Sequence, residues 1–512
     1  WLKTLQSLCS ALLSSMVAIF SRRVLHPDGT VAPAAIQVEG GLISAVTHGA
    51  DPDALGIPGL LDLGTKLITP AFINAHTHLP MAALRGIEGC ASAMAGDVVK
   101  DLYFRLEAQM TADDVRAFAR MGCYECLLSG VGLVWEHYYH GLALAEALRD
   151  TGLAGVVAPT LQDLSGPGVP LLERAFEETA NIAGDPALRE RGIFAALGPH
   201  ATDTVSDELW RRIVDTAQKL GGLPIHSHVA QGIQEFEAVH KRSGGCTPIG
   251  LLESLGVLRS GLPLMLVHGQ YATAADVALL DPKQHVLCVC PRSHMLFAFP
   301  TPAPRWQEAG IRLAVATDAS ASNDDMNVQL DLRILAGLSS FEATTSTELK
   351  SFWAQTDSGG GLSSAQSLHA RRQLAHQNPA AIALRDPATL LRTVWTTPGT
   401  LHRSFRAGAL EKGALANFVV WDPEHPNLWP ASDLLASLVM CNAAPAITGM
   451  MVAGNWVGRV PSAEDTDTDW HSSIHRSKAY RLAREEATER LQDLLTRAGL
   501  RRGTKRPSNG DH

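Results

Sequence analysis

The stretch Leu67-Ile-Thr-Pro-Ala-Phe-Ile-Asn-Ala-His76-Thr-His78 constrains this chain more than any other. An apolar run, interrupted by Thr69, Pro70 and Asn74, leads straight into two histidines spaced i, i+2. Such a run predicts a buried strand. Residues i and i+2 of a strand point to the same side, so His76 and His78 project together from its end. Two imidazoles on one face suit a borderline metal such as zinc, which takes imidazole nitrogen at about 2.0–2.1 Å. Taken alone, a His-x-His is better explained by two polar residues at a strand exit. The rest of the chain decides between the two.

Strand-like and helix-like segments alternate after this point, which argues for a parallel β/α architecture. Eight candidate strands are Ile68–Ala75, Val131–Glu136, Gly155–Pro159, Ile193–Leu197, Leu223–His228, Leu262–His268, His285–Cys290 and Arg312–Thr317. Amphipathic stretches such as Asp207–Leu220, Ile233–Ser243 and Ala272–Leu280 lie between them. Eight such units predict a (β/α)8 TIM barrel, whose chemistry sits at the C-terminal strand ends. Polar residues fall there: His76, His78, His137, His200, His228, His268 and Asp318. Twenty histidines scattered at random would not favour strand exits so consistently.

With 512 residues, 46% of them hydrophobic, the chain is large enough for more than one domain. Short β-like runs punctuated by turn signals occupy Val17 to Leu63 and again Phe405 to Val460, so the two ends are expected to pair into one flanking β-sandwich. The resulting division is 16–66 and 401–462 for the sandwich, 67–400 for the barrel, and 463–512 for a helical and then disordered tail. The formal net charge is −9 and nothing resembles the basic face that nucleic-acid binding requires; the basic cluster Arg501–Arg506 reads as a solvated terminus before a targeting or nucleic-acid patch. No stretch is long and apolar enough to span a bilayer. Two readings of Trp1–Ser15 stay open: a secretory leader, or residues that precede a start at Met16. Cys123-x-x-Cys126 has zinc or redox spacing but no second pair, and its helical context predicts buried thiols. A large enzyme with free thiols fits the reducing cytoplasm.

His76, His78, His228 and Asp318 would make a mononuclear metal site. A metal there brings the pKa of coordinated water towards about 7 and keeps one position open. Asp318 would bind the ion and accept the water's proton. His268 would orient the attacking water or stabilise developing negative charge. The fourth strand region, Phe194-Ala-Ala-Leu-Gly-Pro-His200, offers no Lys to bridge two ions, so one divalent ion is expected, Zn2+ first, with Fe2+, Co2+ or Ni2+ compatible with the same donors.

Pro70-Ala-Phe-Ile-Asn-Ala-His-Thr-His-Leu-Pro-Met resembles the first-strand signature of the amidohydrolase superfamily. Gly198-Pro-His200-Ala, Ile225-His-Ser-His228-Val-Ala, Leu266-Val-His268-Gly, Cys290-Pro-Arg-Ser-His294 and Ala316-Thr-Asp318-Ala-Ser-Ala-Ser-Asn323 resemble its later motifs in order and spacing. The resemblance runs from about Val17 to Val460. It is closest to the branch holding S-adenosylhomocysteine/methylthioadenosine deaminases, 8-oxoguanine deaminase and triazine chlorohydrolases. It implies a TIM barrel with a β-sandwich, one divalent metal on His76, His78, His228 and Asp318, and active-site roles for His200 and His268, with His200 on the substrate side. His137, His294 and Asn323 join His200 as expected substrate-binding residues.

Two departures from that pattern carry chemistry. Where the family usually reads His-x-Ala-Glu, this chain has His228-Val-Ala-Gln231. A Gln can hydrogen-bond a ring or a carbonyl but cannot act as general acid or base, which is worth about 10²–10⁴-fold. His294 stands where the family often has Asn; with His137 and His140 it makes a cleft rich in imidazole. The leading expectation is a metal-dependent hydrolase of a C–N or C–halogen bond of a nitrogen heterocycle, with Asp318, His268 and Gln231 as its working residues. The alternative is hydrolysis of an amide, carbamate or urea-like bond, which Gln231 favours. A metal-binding pseudoenzyme is the third reading. The expected partner is a small molecule, with neither nucleic acid nor membrane, in a cytoplasmic homo-oligomer, most simply a dimer.

Overall fold

A computed structural model describes residues 16–499, apart from 50, 87–96, 298–301, 343–365, 466 and scattered positions between 368 and 378. Trp1–Ser15, Cys90 and the basic tail beyond 499 lie outside the described residues.

The strand bearing the first two histidines is not continuous with the run that precedes it. The expected strand Ile68–Ala75 is two strands in two different sheets, β5 (Leu67–Pro70) and β6 (Phe72–Thr77). Pro70 cannot donate to a ladder, and at Ala71 the chain turns from one sheet to the other. Ala71 N–H donates to Asn417 O (3.1 Å) and Phe72 N–H to Gly130 O (2.9 Å).

β5 belongs to an eight-stranded sheet that draws on both ends of the chain. From the N-terminal end come β1 (Val17–Leu25), β2 (Val31–Glu39), β3 (Leu42–His48) and β4 (Leu61–Asp62). From the C-terminal end come β15 (Phe418–Trp421), β16 (Ile447–Val452) and β17 (Asn455–Trp456). Their order is β17-β16-β15-β5-β1-β2-β3, with β4 beside β1. β5 runs parallel to β1 and antiparallel to β15. One face of this sheet has a core of its own, including Ile19, Ile36, Phe418, Val420 and Met451. Chain entry into the histidine-bearing strands is therefore at Phe72, a few residues past the expected boundary at 66.

β6 opens a parallel set with β7 (Val131–Tyr138), β8 (Ala154–Leu161), β9 (Ile193–Ala195) and β10 (Gly198–Pro199). A second parallel set holds β11 (Ile225–Val229), β12 (Leu264–His268), β13 (His285–Val289) and β14 (Arg312–Val315). Single parallel bridges join the two sets at both edges, Leu197 to Ile225 and Thr77 to Asp318. At the second seam Asn74 reaches across from β6: its Nδ2 donates to Thr317 Oγ1 (2.7 Å) and its Oδ1 accepts from Thr317 N–H (3.0 Å). Every residue of β7 and β8 is buried, as expected of parallel strands covered on both faces.

The helices follow their sequence signals. Ser206 caps Asp207–Lys219 by accepting from Leu209 N–H (3.1 Å), acidic residues fill the first turn, and Leu209, Trp210, Ile213 and Ala217 form its buried stripe. Ile233–Ser243 has the expected bounds. The expected helix Ala272–Leu280 shrinks to Ala274–Val277, a single turn held by a Thr273/Asp276 capping box. Beyond 463 the helices Asp467–His475 and Lys478–Arg497 dock on the body. Arg490 and Arg497 reach the buried carboxylate of Asp114 on the helix Ala112–Leu128, with Arg497 at 2.5 Å. That helix also carries Cys123 and Cys126, both buried free thiols as expected. Among the described residues no helix is long and apolar enough to cross a membrane.

Candidate active site

His76 and His78 leave β6 on one face, His228 projects from β11, and Asp318 follows β14 across the seam. Their donor atoms converge. His228 Nε2 lies 3.2 Å from His76 Nε2 and 3.3 Å from His78 Nε2. Asp318 Oδ1 lies 3.7 Å from His76 Nε2 and 3.5 Å from His78 Nε2. A tetrahedron with bonds of about 2.0–2.1 Å has edges of about 3.3–3.4 Å, so the spacings of His228 from His76 and His78 suit donors to a shared metal ion, with the Asp318 carboxylate beside His76 and His78. The three histidines can also hold an ion as a group of their own.

Each ligand ring is fixed through its other nitrogen. His78 Nδ1 sits 2.5 Å from His137 O, His228 Nδ1 is 2.7 Å from His200 O, and His76 Nδ1 is 2.9 Å from His226 Nε2. Such contacts set the tautomer and turn Nε2 to the metal position. Burial, followed by the crowding of neighbouring imidazoles, pushes His76, His137, His200, His226 and His268 well below the ordinary histidine range. Burial likewise lowers His228 and His294 to about 4. Neutral imidazole is the ligand-competent form.

Asp318 is held tightly. Its Oδ2 accepts from Ser293 Oγ (2.8 Å) and its Oδ1 from Ala319 N–H (2.8 Å). Its φ is 64°, and that of His268 is 79°, both left-handed values unusual for residues with side chains. Strain of this kind gathers at functional sites. The His268 ring stacks on His228 at 5.4 Å, and its buried Nε2 has no hydrogen-bond partner among the described residues.

The expected residues divide into those the fold gathers and those it does not. His137, His200, His228, Gln231 and Asp318 line one cavity in front of the donors, together with Tyr103, Phe104 and Tyr138. His268 and His294 line an adjoining chamber that also opens on His200 and Gln231. Asn323 lies elsewhere: its Nδ2 donates to Thr317 O (2.5 Å) and faces the Asp331 carboxylate at 3.3 Å, so it braces the Asp318 turn from behind rather than lining either space. His140 caps a helix at φ 57° and lines neither.

Other residues emerge only from the structure. His226 supports His76. Glu136 accepts from Thr77 Oγ1 (2.5 Å) and Leu79 N–H (2.9 Å), bracketing His78, and burial lifts its carboxyl to about 8. Glu235 accepts from Gln231 N–H (2.7 Å) and Ala230 N–H (3.1 Å) and so fixes the turn that carries Gln231; burial lifts it to about 7. Glu107, beside Tyr138 on the cavity wall, is also lifted to about 7 by burial. Two of these had a legible signal: His226-Ser-His228 repeats the spacing of His76-Thr-His78, and Glu235 stands close after Gln231 on the following helix.

The sequence profile of the amidohydrolase family matches residues 67–457. The chain belongs to the amidohydrolase family. Among its relatives, the 5-methylthioadenosine/S-adenosylhomocysteine deaminase of Haloarcula marismortui is 26% identical over 495 residues, covering 95% of this chain and all of the relative. The 5'-deoxyadenosine deaminase of Methanopyrus kandleri is 25% identical over 412 residues, 80% of this chain and 85% of the relative. An amidohydrolase-type fold is shared with the zinc-bound adenosine deaminase of Xanthomonas campestris, at TM-score 0.72 and 23% identity, covering 93% of this chain and 98% of that one. Atrazine chlorohydrolase TrzN from Arthrobacter aurescens TC1, complexed with zinc, superposes at TM-score 0.68 and 18% identity, covering 94% and 100%.

Proposed function

We propose that this amidohydrolase uses one divalent ion, zinc, to hydrolyse a C–N or C–halogen bond of a nitrogen heterocycle, releasing ammonia, an amine or a halide. The observation that carries the reading is the convergence of His76, His78 and His228 at spacings suited to one ion, with the Asp318 carboxylate beside His76 and His78. An ion held there supplies Lewis acidity and an activated water. Asp318 accepts a proton from the nucleophilic water; Ser293 and the Ala319 N–H keep its two oxygens aimed. His268 presents Nε2 toward the charge that develops on the attacked centre. His200, His137 and Gln231 form the substrate wall, and His294 borders the outer chamber. Relatives named as deaminases and a fold neighbour named as a chlorohydrolase support the substrate class.

A second reading, hydrolysis of an amide, carbamate or urea-like bond, is favoured by Gln231, which cannot return a proton to a ring nitrogen. The parallel strands bridged at both edges support a closed eight-stranded barrel, and the sheet built from both ends supports a flanking sandwich. A cytoplasmic dimer is the proposed working form. The deciding experiment offers the zinc-loaded protein 5'-methylthioadenosine, S-adenosylhomocysteine, guanine, atrazine and an aryl carbamate while ammonia, amine and halide are assayed. Turnover of the carbamate alone replaces the first reading with the second, and no turnover by a protein with a full ion site overturns both.

A further inference from the structure

A second cluster of metal-ligating side chains lies behind His268. His268 closes β12, Cys290 follows β13, and His294 sits one turn further along the helix Pro291–Leu296. His294 N–H donates to Cys290 O (2.9 Å), so the two side chains stand four residues apart on one helical face. His294 Nε2 lies 3.2 Å from His268 Nδ1. One donor atom from each of the three residues lies within 4.8 Å of the other two, and all three residues are buried. The Cys290 thiol, which also hydrogen-bonds the Cys288 side chain, stands beside this ring pair.

We infer that His268 Nδ1, Cys290 Sγ and His294 form a second metal site, distinct in chemistry from the first and suited to a thiophilic ion such as zinc. Thiolate with imidazole selects softer ions than a site of imidazoles and a carboxylate does. The 3.2 Å spacing of the ring nitrogens is close to the edge of a tetrahedral zinc site. Binding exchanges the thiol proton of Cys290 for the ion and releases it to solvent. His268 and His294 line the chamber that opens past Gln231 and Gln270, which gives the ion a way in. Through Nδ1 the ion fixes the ring of His268 and leaves Nε2 facing the first site. The inference does not depend on what the first site hydrolyses.

The test uses zinc-saturated protein freed of unbound metal by gel filtration, with elemental analysis and zinc X-ray absorption. Wild type is expected to hold two zinc ions per chain and to show sulfur scattering at about 2.3 Å. Cys290→Ser and His294→Asn are each expected to hold one and to lose the sulfur signal, with unchanged circular dichroism. The second substitution leaves the thiol in place and guards against a folding defect in the first. One zinc per chain or no sulfur scattering in wild type overturns the site. So does retention of two ions by either variant, or loss of both ions by both.

Discussion

His226 Nε2 stands 2.9 Å from His76 Nδ1, with both rings buried. Here a side chain steadies the far side of the His76 ring, whereas His78 and His228 are steadied by backbone carbonyls. Removing an outer partner of this kind costs about 10–100-fold in metal affinity. His226→Ala is therefore expected to lower affinity at the first site by that factor, measured by zinc competition against a chromophoric chelator. Unchanged affinity would show that packing alone holds His76.

Asp318→Asn is expected to keep the fold and lose about 10²–10⁴-fold in turnover, the range supplied by a general base. The Asn can still accept from Ser293 Oγ, so circular dichroism should not change. Turnover close to wild type would place the base elsewhere.

Gln231 separates this chain from the pattern it otherwise resembles. Gln231→Ala is expected to weaken substrate binding by about 1–3 kcal/mol, the cost of leaving a buried polar partner unsatisfied. Gln231→Glu is expected to introduce deamination of aminated heterocycles while turnover of the natural substrate falls. Glu235 fixes the backbone at this position, so the new carboxylate should occupy the place of the amide. A hundredfold rise in turnover of the natural substrate would instead identify the protein as an impaired deaminase.

Glu107 links the cavity wall to pH. Burial raises its carboxyl from 4.5 to about 7, so the folded chain binds the proton more tightly than the unfolded one. Its contribution to stability is complete below about pH 4.5, declines as pH rises and is gone by about pH 7, on the order of 3 kcal/mol in all. Glu107→Gln should flatten that part of the stability–pH curve in urea titrations between pH 4.5 and 7. An unchanged slope would refute the assignment.

Asp114 anchors the C-terminal helix through Arg490 and Arg497 and completes the capping box with Thr111. Both arginines are part-exposed, which discounts the ion pairs. Asp114→Ala should cost about 2 kcal/mol, mostly from the cap and the buried hydrogen bonds. Thermal unfolding of the variant checks it.

The proposed ligands were legible in the sequence because each lies at the exit of an apolar run, and strand geometry is periodic enough to say which way i and i+2 point. The same reasoning reached His226 in principle, since it shares a face with His228. It misplaced Asn323, because a short helical turn after Asp318 rotates that side chain behind the strand instead of in front. It also merged β5 with β6: periodicity does not register a change of sheet within one apolar run, and only the partners Asn417 and Gly130 reveal it. Glu107 lies in a helix with no motif around it, so its place at the cavity depends on packing between distant segments; Glu235 follows the Gln231 motif closely, but only the folded turn shows that its carboxylate holds the Ala230 and Gln231 N–H groups.

The position of β5 fixes the order in which the molecule can be completed. Thr69 Oγ1 accepts from Trp421 Nε1 (2.8 Å), and the two residues are 352 positions apart. During synthesis the strand that leads into His76 and His78 leaves the ribosome with one neighbour, β1, and its other edge stays unpaired until nearly the whole chain has emerged. An open edge of this kind is a template for wrong pairing, and closing so long a loop is slow. Nascent chains ending before Phe418 therefore carry a half-seated histidine strand, and dependence on chaperones should fall once synthesis passes Trp421.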